Sequence, residues 1–204
     1  MPAVLPPAPG PAILPLALVD RAAVEALLDV AFGPDRHKRT AYRLRAGVDW
    51  IAALSFAAVR DGGLLGSVQC WPVALYSTGD TPDGTTDATV TPLTLLGPVA
   101  VDPAHQAGGL GKRLTRAAIH AVIEAHAPPP MLIGDPGYYG RFGFTALPTA
   151  GWDLPGPFER HRLLVLPLPD MPLPATGMIG PDVGSHARNA LSRARDFASR
   201  ARIA

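Results

Sequence analysis

Three glycines, Gly108, Gly109 and Gly111, fall within four positions of the run QAGGLGKR, directly ahead of a helical pattern. Glycines at a helix mouth let successive backbone N–H groups approach a ligand with no side chain in the way. Those N–H groups are unpaired within the helix and sit at the positive end of its dipole, so the chemistry on offer is phosphate binding. Further along, GDPGYYGRFGF sets the adjacent tyrosines Tyr138 and Tyr139 close to Asp135. A tyrosine hydroxyl can donate to a group that gains negative charge, so this stretch can supply an acid.

Counting positions narrows the kind of phosphate. A Walker A loop needs G-x-x-x-x-G-K-[ST]; here Gln106 stands where the first glycine should be and Arg113 where the magnesium-binding hydroxyl should be. A dinucleotide loop needs G-x-G-x-x-G, and from Gly109 and Gly111 the third glycine position falls on Leu114. Asp135 lies at a suitable distance for a ribose contact but precedes a Pro-Gly turn. What remains is Gln106-x-x-Gly109-x-Gly111 directly after V-A-V-D-P.

The elements that must position these residues follow from pattern and punctuation. After a Pro-rich leader over 1–11, a strand is expected near Ile13 to Leu18. Asp20 then caps a helix with Val24, Leu27, Leu28 and Phe32 on one face, ended by Gly33-Pro34. A second helix is expected from Asp35 to Arg45, and its His37, Lys38, Arg39, Arg43 and Arg45 form either a solvated face or one that grips a ligand. Asp61-Gly62-Gly63 divides two apolar strands as a tight hairpin, and Ser77 to Pro92 is polar and without period, which predicts a long surface loop. LLGPVAV is an apolar strand, and Gly109 to Ala127 a helix with Leu110, Leu114, Ala117, Ala118 and Val122 turned inward. MLIGD is a buried strand, GYYGRF a short helical turn, and GFTALP and RLLVLPL later strands. Helices among strands, with one parallel strand-helix-strand unit, predict an α/β or α+β domain about a mixed sheet. The domain spans 12–168, and 169–204 is a linker followed by a basic amphipathic helix capped by Ser185, packed on its own domain or on a partner subunit in a homodimer.

The bulk composition excludes several classes. A formal net charge of +1 advertises neither nucleic acid nor an anionic membrane as partner. Cys70 is the one cysteine, so no intramolecular disulfide and no thiolate metal cluster is expected, and no metal is called for; a cytoplasmic location fits this usage. In VQCWPVAL that cysteine reads as a small buried hydrophobe. No stretch approaches the ~18 apolar residues of a membrane span.

Taken together, Gln106-x-x-Gly109-x-Gly111 and the downstream Y-x-R-x-G-F from Tyr139 to Phe144 resemble the two signatures of the GNAT superfamily of N-acetyltransferases. The resemblance covers roughly Ile13 to Leu166 and is strongest from Leu95 to Phe144, closest to small bacterial proteins that share a GDP-x-YYGRFGF string. It implies a mixed, mostly antiparallel central sheet flanked by helices, with acetyl-CoA as co-substrate. The backbone from Ala107 through Gly108, Gly109, Leu110 and Gly111 to Lys112 would meet the pyrophosphate, and Val99, Ala100 and Val101 the pantetheine arm, with an N–H near Val101 meeting the oxyanion. Tyr139 takes the part of general acid and Tyr138 is its alternative.

The general base has no obvious owner, because LLGPVAV carries no ionisable side chain. Asp135, His105 and His37 are candidates by position, while Asp135 also suits a helix cap. The acceptor is a primary amine of a small molecule or a protein, and Phe32, Trp71, Tyr76 and the 77–92 stretch either shape its cleft or belong to the core. The rival reading is a non-catalytic acyl-CoA-binding sensor or interaction module on the same fold.

Overall fold

A computed structural model of the chain describes residues 10–80 and 86–184. The helix expected after Ser185, and nearly all of the Pro-rich leader, lie outside the described residues. The chain opens with strand β1 (Ala12–Pro15) and helix α1 (Arg21–Phe32). The Asp20 carboxylate accepts a hydrogen bond from the Ala22 N–H at 3.2 Å, and Gly33 ends the helix at φ +80°, as the punctuation requires.

The expected second helix is instead broken, into a 3-10 turn (Pro34–Lys38) and a single α turn, α2 (Thr40–Arg43). Arg36 causes the break. Its guanidinium is buried and satisfied by Asp29 at 2.7 Å, Glu25 at 2.6 Å and the Tyr42 hydroxyl, which folds the segment back on α1.

β2 (Phe56–Arg60) and β3 (Gly63–Asp80) form the expected hairpin, Asp61 and Gly62 taking φ of 52° and 77°. β4 (Thr86–Val101) runs back along β3 in register from Asp80↔Thr86 to Gly66↔Val101. Most of the predicted 77–92 loop is therefore hairpin arm, and only 81–85 fall between the strands. Two paired arms exposed to solvent need no apolar alternation, and β-branched Thr89, Val90 and Thr91 suit them.

Helix α3 (Leu110–Glu124) then carries the chain to β5 (Pro130–Ile133), parallel to β4, which is the expected strand-helix-strand unit. A short helix α4 (Pro136–Tyr139) leads into a 3-10 turn at Gly140–Phe142. GFTALP is not a strand; it makes one bridge, Thr145↔Val165. β6 (Gly151–Asp153), β7 (Leu163–Val165) and β8 (Thr176–Pro181) complete a mixed, mostly antiparallel sheet in the order β1-β2-β3-β4-β5-β7. β8 pairs with both β3 and β6, so the sheet takes in residues that the sequence reading placed in a linker.

The sheet is covered on both faces. α3 sets Leu110, Leu114, Ala118 and Val122 on Val68, Cys70, Leu96 and Leu132, while α1 sets Val24 and Leu28, together with Leu16 from the 3-10 turn before it, on Ala57 and Ala100. A third cluster joins Leu44, Trp71, Leu95, Met131 and Trp152. No helix among the described residues is long and apolar enough to cross a membrane.

Cys70 is fully buried, and burial pushes its thiol above the ordinary range. The native protein is therefore expected to leave a thiol-reactive dye unchanged over minutes, with one equivalent reacting once the chain is denatured; native labelling at the denatured rate would contradict this.

Candidate active site

Strand β4 pairs with β5 only at Thr94 and Leu95. Beyond that point its register against β3 shifts, with Gly97 at φ +139°, and β5 turns to β7 instead. The outer edge of β4 from Leu96 to Val101 has no strand partner among the described residues, so its backbone lies open beside the end of β5. An open edge of this kind can pair with an extended ligand.

At the end of β4, Asp102 caps a 3-10 turn (Pro103–Gly108) by accepting from the Ala104 N–H at 2.8 Å. Gln106 reaches back with its Nε2 donating to the Val101 carbonyl at 3.4 Å. Gly109 then takes φ +69°, ψ 14°, the left-handed conformation, and begins α3 without a side-chain cap. The first N–H groups of a four-turn helix are thus left free, with Leu110 anchored in the core and Lys112 exposed. The glycine turn thus presents unpaired N–H groups at the start of a helix, an arrangement that can meet an anion.

The two tyrosines part company. A β-carbon on Gly111 would lie 3.3 Å from the Tyr138 hydroxyl and 3.6 Å from Val101 Cγ2, so Tyr138 and Val101 both stand at the mouth of α3. Tyr139 turns the other way, against Phe144 and Phe142 with ring centroids 6.0 and 6.4 Å apart, and its hydroxyl is pushed up to about 12, first by burial and then by Tyr138. Its ring lies so close to the end of β5 that a β-carbon on Gly134 would come within 2.5 Å of it.

Tyr139 lines a cleft of about 640 Å³, a volume suited to a small ligand. One wall is the β4 bend from Leu95 to Val99; the others are the 32–45 segment and residues 157–162. Two hydrogen bonds close the cleft across the chain: Thr40 Oγ1 to the Pro157 carbonyl at 2.6 Å, and Arg43 Nη1 to the Pro155 carbonyl at 2.5 Å.

The remaining candidates fall as follows. Asp135 lines the cleft and also caps α4, its Oδ1 accepting from the Gly137 N–H at 3.0 Å. His105 lies outside the cleft, 3.2 Å from Arg60, and His37 is exposed against the Tyr42 ring. Val99 lines the cleft, whereas Ala100 is buried under α1. Phe32 lines the cleft; Trp71 belongs to the core cluster, and Tyr76 donates to the Pro181 carbonyl at 2.8 Å, away from it.

Sequence reasoning missed Gly134, Arg36, Glu159 and Arg162, all of which line the cleft. No local signal marks them, because the cleft exists only where segments more than a hundred residues apart meet.

No curated protein matches the chain. Solved structures do. One is a GNAT family N-acetyltransferase from Escherichia coli in complex with CoA, similar over 90% of this chain and 95% of that one with a TM-score of 0.66; at 22% identity the likeness is one of fold. Another is a GNAT family acetyltransferase from Brucella melitensis in complex with acetyl-CoA, 27% identical over 84% of this chain and 96% of that one, with a TM-score of 0.55. The profile of the Acetyltransferase (GNAT) family matches residues 21–144, which take in the open β4 edge, the glycine turn and both tyrosines. By that match, over more than half its length, the chain belongs to the acetyltransferase (GNAT) family.

Proposed function

We propose that the protein is an acetyl-CoA-dependent N-acetyltransferase that passes an acetyl group directly to a primary amine. The observation that carries this reading is one arrangement of three features: the uncapped α3 turn, the open β4 edge that leads to it, and Tyr139 in a cleft lined by the start of that edge. The Gly109 to Lys112 backbone would receive the pyrophosphate, and the edge from Val99 to Val101 the pantetheine arm, which directs the thioester toward the bend. The acetyl-CoA complex of the Brucella melitensis relative supports the same cofactor here.

The amine nitrogen attacks the thioester carbon, a backbone N–H of the open edge meets the oxyanion, and the C–S bond then breaks. Tyr139 meets the departing sulfur. With its hydroxyl at about 12, outright transfer to a thiolate near 8.5 would be uphill by roughly 5 kcal/mol. The side chain therefore serves as a fixed hydrogen-bond donor to sulfur, and the proton that ends on the thiol is made good by the one the attacking amine gives up.

A non-catalytic acyl-CoA sensor has one observation in its favour: no side-chain carboxylate stands on β4 from Leu95 to Val101. A primary-amine library assayed for release of the CoA thiol separates the two. The enzyme reading expects at least one amine to raise release about tenfold or more above acceptor-free hydrolysis. Acetyl-CoA binding by calorimetry with no release across a broad library would assign the sensor instead.

A further inference from the structure

The cations of the cleft are unequally occupied. Arg36 is matched by Glu25, Asp29 and Tyr42, and Lys38 by Asp35 at 2.7 Å. Arg45 makes no ion pair with a carboxylate among the described residues; the Tyr42 side chain is its hydrogen-bonding neighbour, and its Nε is buried with nothing to donate to. It is held in place nonetheless, its guanidinium 4.2 Å from the Tyr42 ring centroid and 5.3 Å from that of Trp71. Arg36 fixes Tyr42 in turn, so the platform under Arg45 is rigid. Across the cleft, Arg162 also has a buried Nε without a partner, and its only carboxylate contact among the described residues is Glu159 at 3.5 Å.

A desolvated guanidinium without an anion is costly, and here burial lowers the Arg45 pKa from its ordinary value. An oxyanion from the ligand would remove that cost and use the planar N–H fork that arginine offers to carboxylates and phosphates. Resting on the acetyltransferase reading, we propose that the acceptor amine carries an oxyanion, carboxylate or phosphate, which Arg45 grips with Arg162 while the amine end faces Tyr139 and the bend of β4. In the transfer, the C–N bond forms, the C–S bond breaks, and one amine proton ends on the CoA thiol. Pairing with Arg45 also cancels the field by which the acceptor's own anion would keep its amine protonated, which suits a site with no carboxylate on β4.

The test uses the full chain and matched probes: α-amino acids against their amides, and phosphoethanolamine against ethanolamine, followed by tryptophan fluorescence because Trp71 lies beneath Arg45. At least one oxyanionic member should bind roughly 30-fold or more tightly than its partner, and which pair discriminates names the anion. Arg45→Gln should abolish that preference, Arg45→Lys should restore part of it, and acetyl-CoA affinity should stay within about threefold of wild type. With an accepted amine, Arg45→Gln should raise KM and leave kcat nearly unchanged, the mark of a lost acceptor-binding contact made equally in ground and transition states. Should Arg45→Gln not fold, Arg162→Gln replaces it, with the same loss of preference expected. Equal binding of every matched pair, or a preference that survives these variants, would overturn the proposal. Oxyanion preference in a chain that fails to bind acetyl-CoA would uphold the site and remove the acetyltransferase reading instead.

Discussion

Gly109→Val is expected to weaken acetyl-CoA binding at least ~100-fold, measured by calorimetry on folded protein. At φ +69° a β-branched residue is strained by its own backbone, whereas a β-carbon there meets no other atom, so the cost is conformational rather than a clash. The chain would relieve it by leaving the left-handed region, which turns the N–H groups of Leu110 to Lys112 away from their common focus. Asparagine tolerates this conformation far better than valine at similar size, so Gly109→Asn should retain much of the affinity. Valine binding within a few fold of wild type would show that the turn does not hold the pyrophosphate. Asparagine failing as badly as valine would mean that bulk beside the phosphate, not backbone conformation, decides.

Tyr139→Phe is expected to lower kcat by ~10²–10³-fold, the usual cost of removing one preorganised donor to developing charge, with acetyl-CoA affinity unchanged within a few fold. The ring still fills its place against Phe142 and Phe144, so the fold should not suffer. The pH profile gives an independent reading. A group pushed up to about 12 is active in its protonated form and loses that form as the pH rises through this value. The rate should therefore rise with pH as the acceptor amine loses its proton, with no fall due to Tyr139 below about pH 11. A wild-type profile falling near pH 8 to 9, or an unaltered kcat in Tyr139→Phe, would remove Tyr139 from this part. Tyr138→Phe, altering a hydroxyl at the mouth of α3, should act on acetyl-CoA affinity instead.

What the sequence could disclose was set by range. Asp20 capping α1, Asp61-Gly62 turning a hairpin, and the glycines before α3 act on atoms a few residues away, and all three are legible. β8 has glycine at two of six positions and proline at another, and it is a strand because β3 offers it an edge. The same reason hid the outer arms of β3 and β4, whose polar residues look like loop until they are paired. Of the candidate site, the turn and the tyrosine string proposed to meet the cofactor were legible as local structure, since each is a short contiguous stretch. The proposed acceptor half was not: Arg45 looks like one more cation on a basic face until Tyr42 and Trp71 close round it.

The clasp between α2 and the 155–157 carbonyls bears on how such a protein can be altered. The profile shared with the family ends at Phe144, yet one wall of the cleft is built from residues 157–162. On the proposed function, the two cleft walls at 32–45 and 157–162 lie in stretches of the chain apart from the glycine turn and are joined to each other by Thr40 and Arg43. On the proposed function, exchanging α2 together with 155–162 would be a route to new acceptors that leaves the glycine turn untouched, whereas replacing α2 without keeping Thr40 and Arg43 would remove both donors of the clasp.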